Sequence, residues 1–520
     1  MAQPASVPVL SCAEARRWEE GLRKNHEQEW AAMQAAGVGL ARALEQDFRE
    51  IGGLPVAPRL LVLAGKGHNG GDALLAAQVL LKGRPAATVD LLLNFPPTTL
   101  RPLAARALME LRQTGAGRVR LVTLTELKAE LASYEICLDG VFGFNFRCPL
   151  DEVSEELLAW VNTHPRIRLR AAVDLPSGLG EVNAATIFRA DFTYATGSVK
   201  SVVLWPANMP WVGRVRLVDL GFLKEADVSP TQEDRVLRPT VLGALTQFRS
   251  PQSDKRTLGH LVVIGGSHGY PGAVLLAVRA ALRSGVGLVT ALVPKFLVPE
   301  YAARCPEAMW VACPIAATGG LAASTLPLVR ARLARANAVL IGPGLGAEPA
   351  TISWVAQLVQ ALQVPVVLDA DALRPEVMAA AMPGALIATP HRGEFQRIAA
   401  GLTLPEYCAK QQAVVVLKGS RTQICRPAFA DNQVSGSGSI IYHSLSGGPV
   451  LARGGSGDML AGLIGGLLAQ EPSDLLQAAC RGVVWHGRAA DLLARTHGQV
   501  AIEISQLLEQ LGPALTPLHD

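Results

Sequence analysis

Short apolar runs recur along the chain, and most are followed by a glycine-rich or polar turn. In the first half they cover residues 60–64, 89–93, 135–138, 169–173 and 192–195. Segments with helical spacing, such as 73–82, separate them. Short apolar strands alternating with helices predict a mostly parallel sheet covered on both faces. The first ~50 residues, rich in Glu, Arg and Ala, predict helices packed outside that sheet. The pattern breaks in the polar stretch from Lys224 to Pro239, and a second α/β series follows. Its predicted strands are 260–264, 288–293, 338–341, 364–368 and 414–417. The reading is thus an α/β chain of two domains, 1–225 and 240–520, joined by a linker at 226–239. No internal repeat is visible. In such sheets ligands bind beyond the C-terminal strand ends, where most of the glycine turns fall.

Composition narrows the class. The 520 residues are 49% hydrophobic and 18% charged, which supplies large cores and argues against disorder. The net charge of +4 is scattered, with no basic run, so no nucleic acid and no membrane is expected as a partner. Met1-Ala-Gln-Pro4 does not begin a secretory signal, and apolar stretches such as 459–469 fall short of the ~20 residues that span a bilayer. The eight cysteines form no C-x-x-C pair and no Cys/His cluster, so reduced thiols and a cytoplasmic enzyme are expected. A homo-oligomer is compatible with the sequence, which leaves the oligomeric state open.

Chemistry enters at the turns. Gly65-Lys-Gly-His-Asn-Gly-Gly-Asp72 follows a strand and opens a helix. Its G-x-G-x-x-G spacing suits either a tight turn or an anion site. Asn69 and Asp72 stand where a helix start presents free N–H groups. Two further strand ends carry Asp139, and Asp174 with Ser177. In a parallel sheet all three loops share one edge. Asn69, Asp139 and Ser177 then offer hard oxygen ligands to a cation, and Asp174 an acid/base, although a lone Asp at a strand end also serves as a helix cap.

Together these motifs resemble the NAD(P)H-hydrate epimerase domain over roughly residues 10–225. The resemblance implies potassium held by Asn69, Asp139 and Ser177. It implies substrate contacts at His68, Asn69, Gly70, Gly71 and Asp72, at Gly143, Phe144, Asn145, Phe146 and Arg147, and at Asp174. The chain departs from the family in having His68 for a usual Asn, Ala73 for a usual Gly, and a 143–149 loop without Gly-Thr-Gly.

The second half is denser in signals. The turn from Gly265 to Ala273 lacks the Lys-Ser/Thr ending of a P-loop. Gly342-Pro-Gly-Leu-Gly346 is another flexible turn, Asp369 and Asp371 share a strand end, His391 and Glu394 follow, and 417–422 could lie along a nucleotide. Gly454, Gly455, Ser456 and Gly457 form a phosphate loop, and Asp458 follows at a helix start. Successive N–H groups there make an anion nest, strengthened by the helix dipole. Helix capping alone would also explain Asp458. His443 and His486 read as structural or solvated.

This set resembles the ribokinase-like ADP/ATP-dependent NAD(P)H-hydrate dehydratases over roughly residues 240–510. The resemblance implies a three-layer α/β/α sandwich, hydrate contacts at Ala273, Gly344, His391 and Asp458, and nucleotide contacts at Lys418, Gly419, Ser420, Arg421, Thr422 and Gly457. Asp458 is the expected general base. Mg²⁺ is expected on the ADP cosubstrate, with Glu394 as a water-mediated partner. Epimerase followed by dehydratase is the order of the bifunctional NAD(P)H-hydrate repair enzymes. That order implies exchange of R and S hydrates, then ADP-driven dehydration of the S form to NAD(P)H, AMP and phosphate. Alternatives are a vitamin or sugar kinase in the second half and a binding module in the first.

Overall fold

The computed structural model describes residues 3–22, 25–221, 234–427 and 439–516. The described residues fall into two compact units. One holds those from Val7 to Gly221 with 495–498. The other holds those from Asp234 to Ala494 and from Gln499 to Thr516, with 3–6. Of the expected linker, 226–233 lies outside the described residues. Asp234–Leu237 is a strand of the second unit, paired in parallel with Ile440–His443.

In the first unit a seven-stranded sheet runs in the order Val119–Leu121, Thr88–Leu93, Arg59–Ala64, Tyr134–Gly140, Ile167–Val173, Phe192–Thr196, Arg214–Val218. Every neighbour pair is parallel. The side-chain period of two sorts the core. Leu60, Val62, Leu138 and Ala171 face helices His26–Phe48, His68–Gly83 and Pro102–Thr114. Leu61, Leu63, Cys137 and Ala172 face Glu152–Thr163 on the other side. Strand order reverses between Arg59–Ala64 and Tyr134–Gly140, so the crevice of this sheet opens there. The helix predicted at 73–82 begins earlier, at His68, which puts residues 68–72 in its first turn.

In the second unit the order is Met309–Cys313, Leu288–Pro294, His260–Ile264, Ala338–Ile341, Val366–Leu368, Leu386–Ala388, Val414–Leu417, Gln423–Arg426, Ile440–His443, Asp234–Leu237. All pairs are parallel except the two made by Gln423–Arg426. Leu261, Val263 and Leu340 pack on one side with residues of Pro271–Arg283 and Ser456–Gln470, while Val262, Ile264 and Val339 pack on the other with residues of Pro349–Gln360. The reversal lies between His260–Ile264 and Ala338–Ile341. Among the described residues no helix is long and apolar enough to cross a membrane.

Candidate active sites

At the crevice of the first unit two loops meet without room for a side chain. A Cβ on Gly65 would lie 1.9 Å from the Val141 carbonyl oxygen, and one on Gly70 would lie 2.1 Å from the Gly65 carbonyl oxygen. These glycines therefore serve close packing, and the packing brings the expected cation ligands together. Asn69 Nδ2 donates to the Phe142 carbonyl at 2.9 Å, and Phe142 N–H donates to Ser177 Oγ at 2.9 Å. Ser177 donates to Asp139 through Oγ at 2.6 Å and through N–H at 2.7 Å. Burial raises the Asp139 carboxyl to about 6 against these hydrogen bonds.

A cavity of about 720 Å³ adjoins this cluster, lined by His68, Asn69, Asp72, residues 143–147 and Asp174. His68 Nε2 lies 4.0 Å from Glu29. The loop lacking Gly-Thr-Gly is aromatic instead: Phe142 and Phe146 are 5.4 Å apart, and Phe144 lies 5.1 Å below Lys200 Nζ. Asn145 accepts from Arg16 Nε at 2.7 Å. Asp174 holds a left-handed backbone at φ +64°, rare for a residue with a side chain.

In the second unit the glycine loop leads straight into Ser456–Gln470. Gly455 has φ +91°, and a Cβ on Gly454 would meet open space. No side chain caps this helix, so Asp458 is not its N-cap; it stands in the first turn, where amides lack preceding carbonyls. Lys418 packs against the loop, its Nζ 3.1 Å from where a Gly457 Cβ would be. Lys418 Nζ also donates to Asp369 Oδ1 at 2.7 Å, as does Thr389 Oγ1 at 2.7 Å. Burial raises the Asp458 carboxyl to about 6, the Asp369 charge adds to this, and Lys418 opposes it. Burial works against the Lys418 ammonium, but the charges of Asp369, Glu394 and Asp458 outweigh it and raise its pKa.

The other expected contacts border this centre. Ala273 Cβ lies 3.2 Å from where a Gly344 Cβ would be. His391 bridges to Lys418, whose N–H donates to the Pro390 carbonyl at 2.8 Å. Gly419, Ser420, Arg421 and Thr422 make the turn between antiparallel strands Val414–Leu417 and Gln423–Arg426. Glu394 closes a capping box: its Oε2 accepts from His391 N–H at 2.8 Å, and His391 Nδ1 accepts from Gly393 and Glu394 N–H.

The bifunctional NAD(P)H-hydrate repair enzyme Nnr of Gloeobacter violaceus is 36% identical over 93% of this chain and 93% of its own. The chain belongs to this family of bifunctional NAD(P)H-hydrate repair enzymes. The counterpart in Thermosynechococcus vestitus is 33% identical over 99% of this chain and 98% of its own. Two family models match in the expected order, "YjeF-related protein N-terminus" at residues 30–202 and "NAD(P)H-hydrate dehydratase" at 261–512. The crystal structure of the ADP/ATP-dependent NAD(P)H-hydrate dehydratase from Bacillus subtilis, with ATP and Mg²⁺, is 28% identical. It covers 51% of this chain and 92% of that one, with a TM-score of 0.41.

Lys200 stands in no motif read from the sequence, and Asp369 and His486 make contacts that their motifs did not indicate. Lys200 is wholly buried and donates to Asp174 Oδ1 at 2.5 Å. Asp369 orients Lys418, as above. His486, read from sequence as structural or solvated, is buried beside the glycine loop. Burial lowers its imidazole to about 4 against a hydrogen bond to the Ser456 backbone, so the ring is neutral near pH 7. A charged or polar residue inside an apolar run marks each of Lys200 and His486 in the sequence.

Proposed function

We propose that this chain repairs NADH and NADPH that have taken up water across a ring double bond. The second unit dehydrates the S hydrate at the expense of ADP, and the first exchanges the R and S forms. The observation that carries the reading is the convergence of Asp458, Lys418 and the glycine loop at one strand-end crevice. Hydroxide leaves poorly from carbon, whereas phosphate leaves readily. Asp458 accepts the proton of the ring hydroxyl, whose oxygen attacks the terminal phosphorus of ADP. The bond from that phosphorus to the bridging oxygen breaks, and AMP departs with the electron pair. Lys418 and the amides of Gly454, Gly455, Ser456 and Gly457 hold the charge of the transferring group. The ring nitrogen lone pair then expels phosphate, and loss of the neighbouring C–H proton restores the double bond. Ala273, Gly344 and His391 contact the hydrate, and residues 418–422 contact the nucleotide.

Potassium fits the first unit. Asp139 is wholly buried and pairs with no Lys or Arg among the described residues, so a cation would balance its charge. Asn69, Asp139 and Ser177 would hold it, and it would order the loop at Phe142. Mg²⁺ would supply charge neutralisation on the ADP phosphates. Asp369 is engaged by Lys418 and Thr389, and Glu394 by His391, which suits contact through water. The setting is cytoplasmic. Supporting this, the eight cysteines are free thiols, and all but Cys148 are buried.

The test supplies mixed hydrate epimers with ADP or ATP and follows recovery of the nicotinamide absorbance. Complete recovery is expected. Recovery of one epimer would leave only the second unit active, and no recovery would defeat the assignment.

A further inference from the structure

Five carboxylates, Glu19, Glu29, Asp72, Asp151 and Asp174, line the cavity of the first unit, and the surroundings of Asp174 and Asp72 differ. Asp174 is held on one side only. Its Oδ1 accepts from Lys200 Nζ, from Thr196 N–H at 3.3 Å and from Thr196 Oγ1 at 3.3 Å. Its Oδ2 takes no hydrogen bond among the described residues, and Asp174 lines the cavity. Lys200 spends its remaining two protons on the carbonyls of Thr196 and Ser198, both at 3.1 Å. The ammonium is therefore fixed and has no accessible surface. Asp72 lines the same cavity at 9% exposure, yet among the described residues it takes no hydrogen bond and no ion pair. A buried carboxylate with no partner costs far more than a neutral carboxyl does.

We propose that these two groups divide the proton work of hydrate exchange: Asp174, held as a carboxylate by Lys200, is the base, and Asp72 is the acid. The inference rests on the epimerase reading above. Lys200 touches no substrate atom in this scheme and is a positioning residue. Burial and the nearby charges of Asp174 and Glu19 hold the Asp72 carboxyl well above the usual carboxylate range, which agrees with this division. Cys12 feels the charge of Asp174: burial and then the charges of Asp174 and Glu181 raise its thiol to about 11, opposed by Lys200 and Arg16. Among the described residues Lys200 is the one cation hydrogen-bonded to Asp174.

The division matches an exchange by ring opening. The reacting carbon bears both the hydroxyl and the ring nitrogen. Asp174 Oδ2 takes the hydroxyl proton, and the O–H electron pair forms a C=O bond. The C–N pair passes to nitrogen, which takes the proton of Asp72. Rotation of the aldehyde presents its other face. Nitrogen attacks that face and returns its proton to Asp72, while the oxygen recovers its proton from Asp174. Each carboxyl ends as it began, so no external proton carrier is needed.

The test measures R-to-S exchange in the full chain without ADP, across pH. The wild type should lose rate at high pH as Asp72 ionises. Asp72→Asn should lower kcat about 100-fold and remove the alkaline limb. In Lys200→Met kcat should fall about 10-fold with KM nearly unchanged, because Asp174 loses its positioning partner, and Lys200→Arg should restore kcat. An alkaline limb kept by Asp72→Asn, or an unchanged kcat in folded Lys200→Met, would overturn the proposal. If Lys200→Met does not fold, Asp72→Asn decides. Absence of exchange in the wild type itself would instead sink the epimerase reading.

Discussion

In each unit a lysine pairs with one carboxylate of a candidate site and leaves another ungripped, and the two lysines are spent differently. Lys200 gives every proton to fixed oxygens, and Asp174 is the only carboxylate among them. Lys418 binds Asp369 but also packs on the glycine loop and stabilises the Asp458 charge. The carboxyl that the lysine does not grip is raised in both places, Asp72 by burial and by the charges of Asp174 and Glu19, and Asp458 by burial to about 6. The consequence depends on the chemistry. Ring opening needs an acid and a base together, whereas phosphoryl transfer needs one base that is ionised near neutrality and a charge that can reach the transferring group.

Four experiments would break or sharpen this comparison. The largest effect is expected from Asp458→Ala, which should cut ADP-dependent dehydration about 1,000-fold while R-to-S exchange continues. Near wild-type dehydration would remove Asp458 from the chemistry. Lys418→Met should cost about 100-fold in dehydration, because a buried phosphate partner and the counter-charge of Asp458 are lost together. Its residual rate should show an acid limb above that of the wild type.

A smaller change is expected from Asp369→Asn. The base must be ionised, so wild-type dehydration should fall as pH drops through about 6. Removing the Asp369 charge should move that limb down by about one unit, measured from kcat against pH. A limb that rises or stays would show that Asp369 does not act on Asp458. The smallest effect concerns Asp139. Its raised folded pKa means that stability is fully present below the unfolded value of ~4 and is lost as pH rises through about 6. Potassium should therefore raise the Tm of the first unit by a few degrees at about pH 8 and hardly at all at about pH 5. An equal shift at both would argue against Asp139 as the cation ligand.

Much of this architecture was legible in the chain. His260–Ile264, Ala338–Ile341 and Val414–Leu417 match the apolar runs residue for residue, because central parallel strands are buried on both faces. Val119–Leu121 and Met309–Cys313 escaped notice because they lie at sheet edges, with exposed positions that interrupt the apolar signal. Gln423–Arg426 and Ile440–His443 are short and mix polar with apolar residues. At the sites, Asn69, Asp139 and Ser177 could be grouped because each follows or ends a strand with a recognisable turn. Lys200 could not, because its partner Asp174 is 26 positions away and only the fold joins them. Asp369 was noticed as half of a strand-end pair, but its grip on Lys418, 49 positions on, was not legible.

The contact between Gly65 and Val141 has a bearing on ancestry. Any side chain at position 65 would collide with the neighbouring carbonyl and spread the strand that leads to Asn69 from the strand that carries Asp139. Descendants of this domain can exchange His68 at the cavity wall without moving the backbone, but they can replace Gly65 only by dismantling the seam. Among duplicated copies of the gene, a residue other than glycine there would mark a relic whose first reaction has been abandoned. Variation at position 68 would signal only a retuned preference.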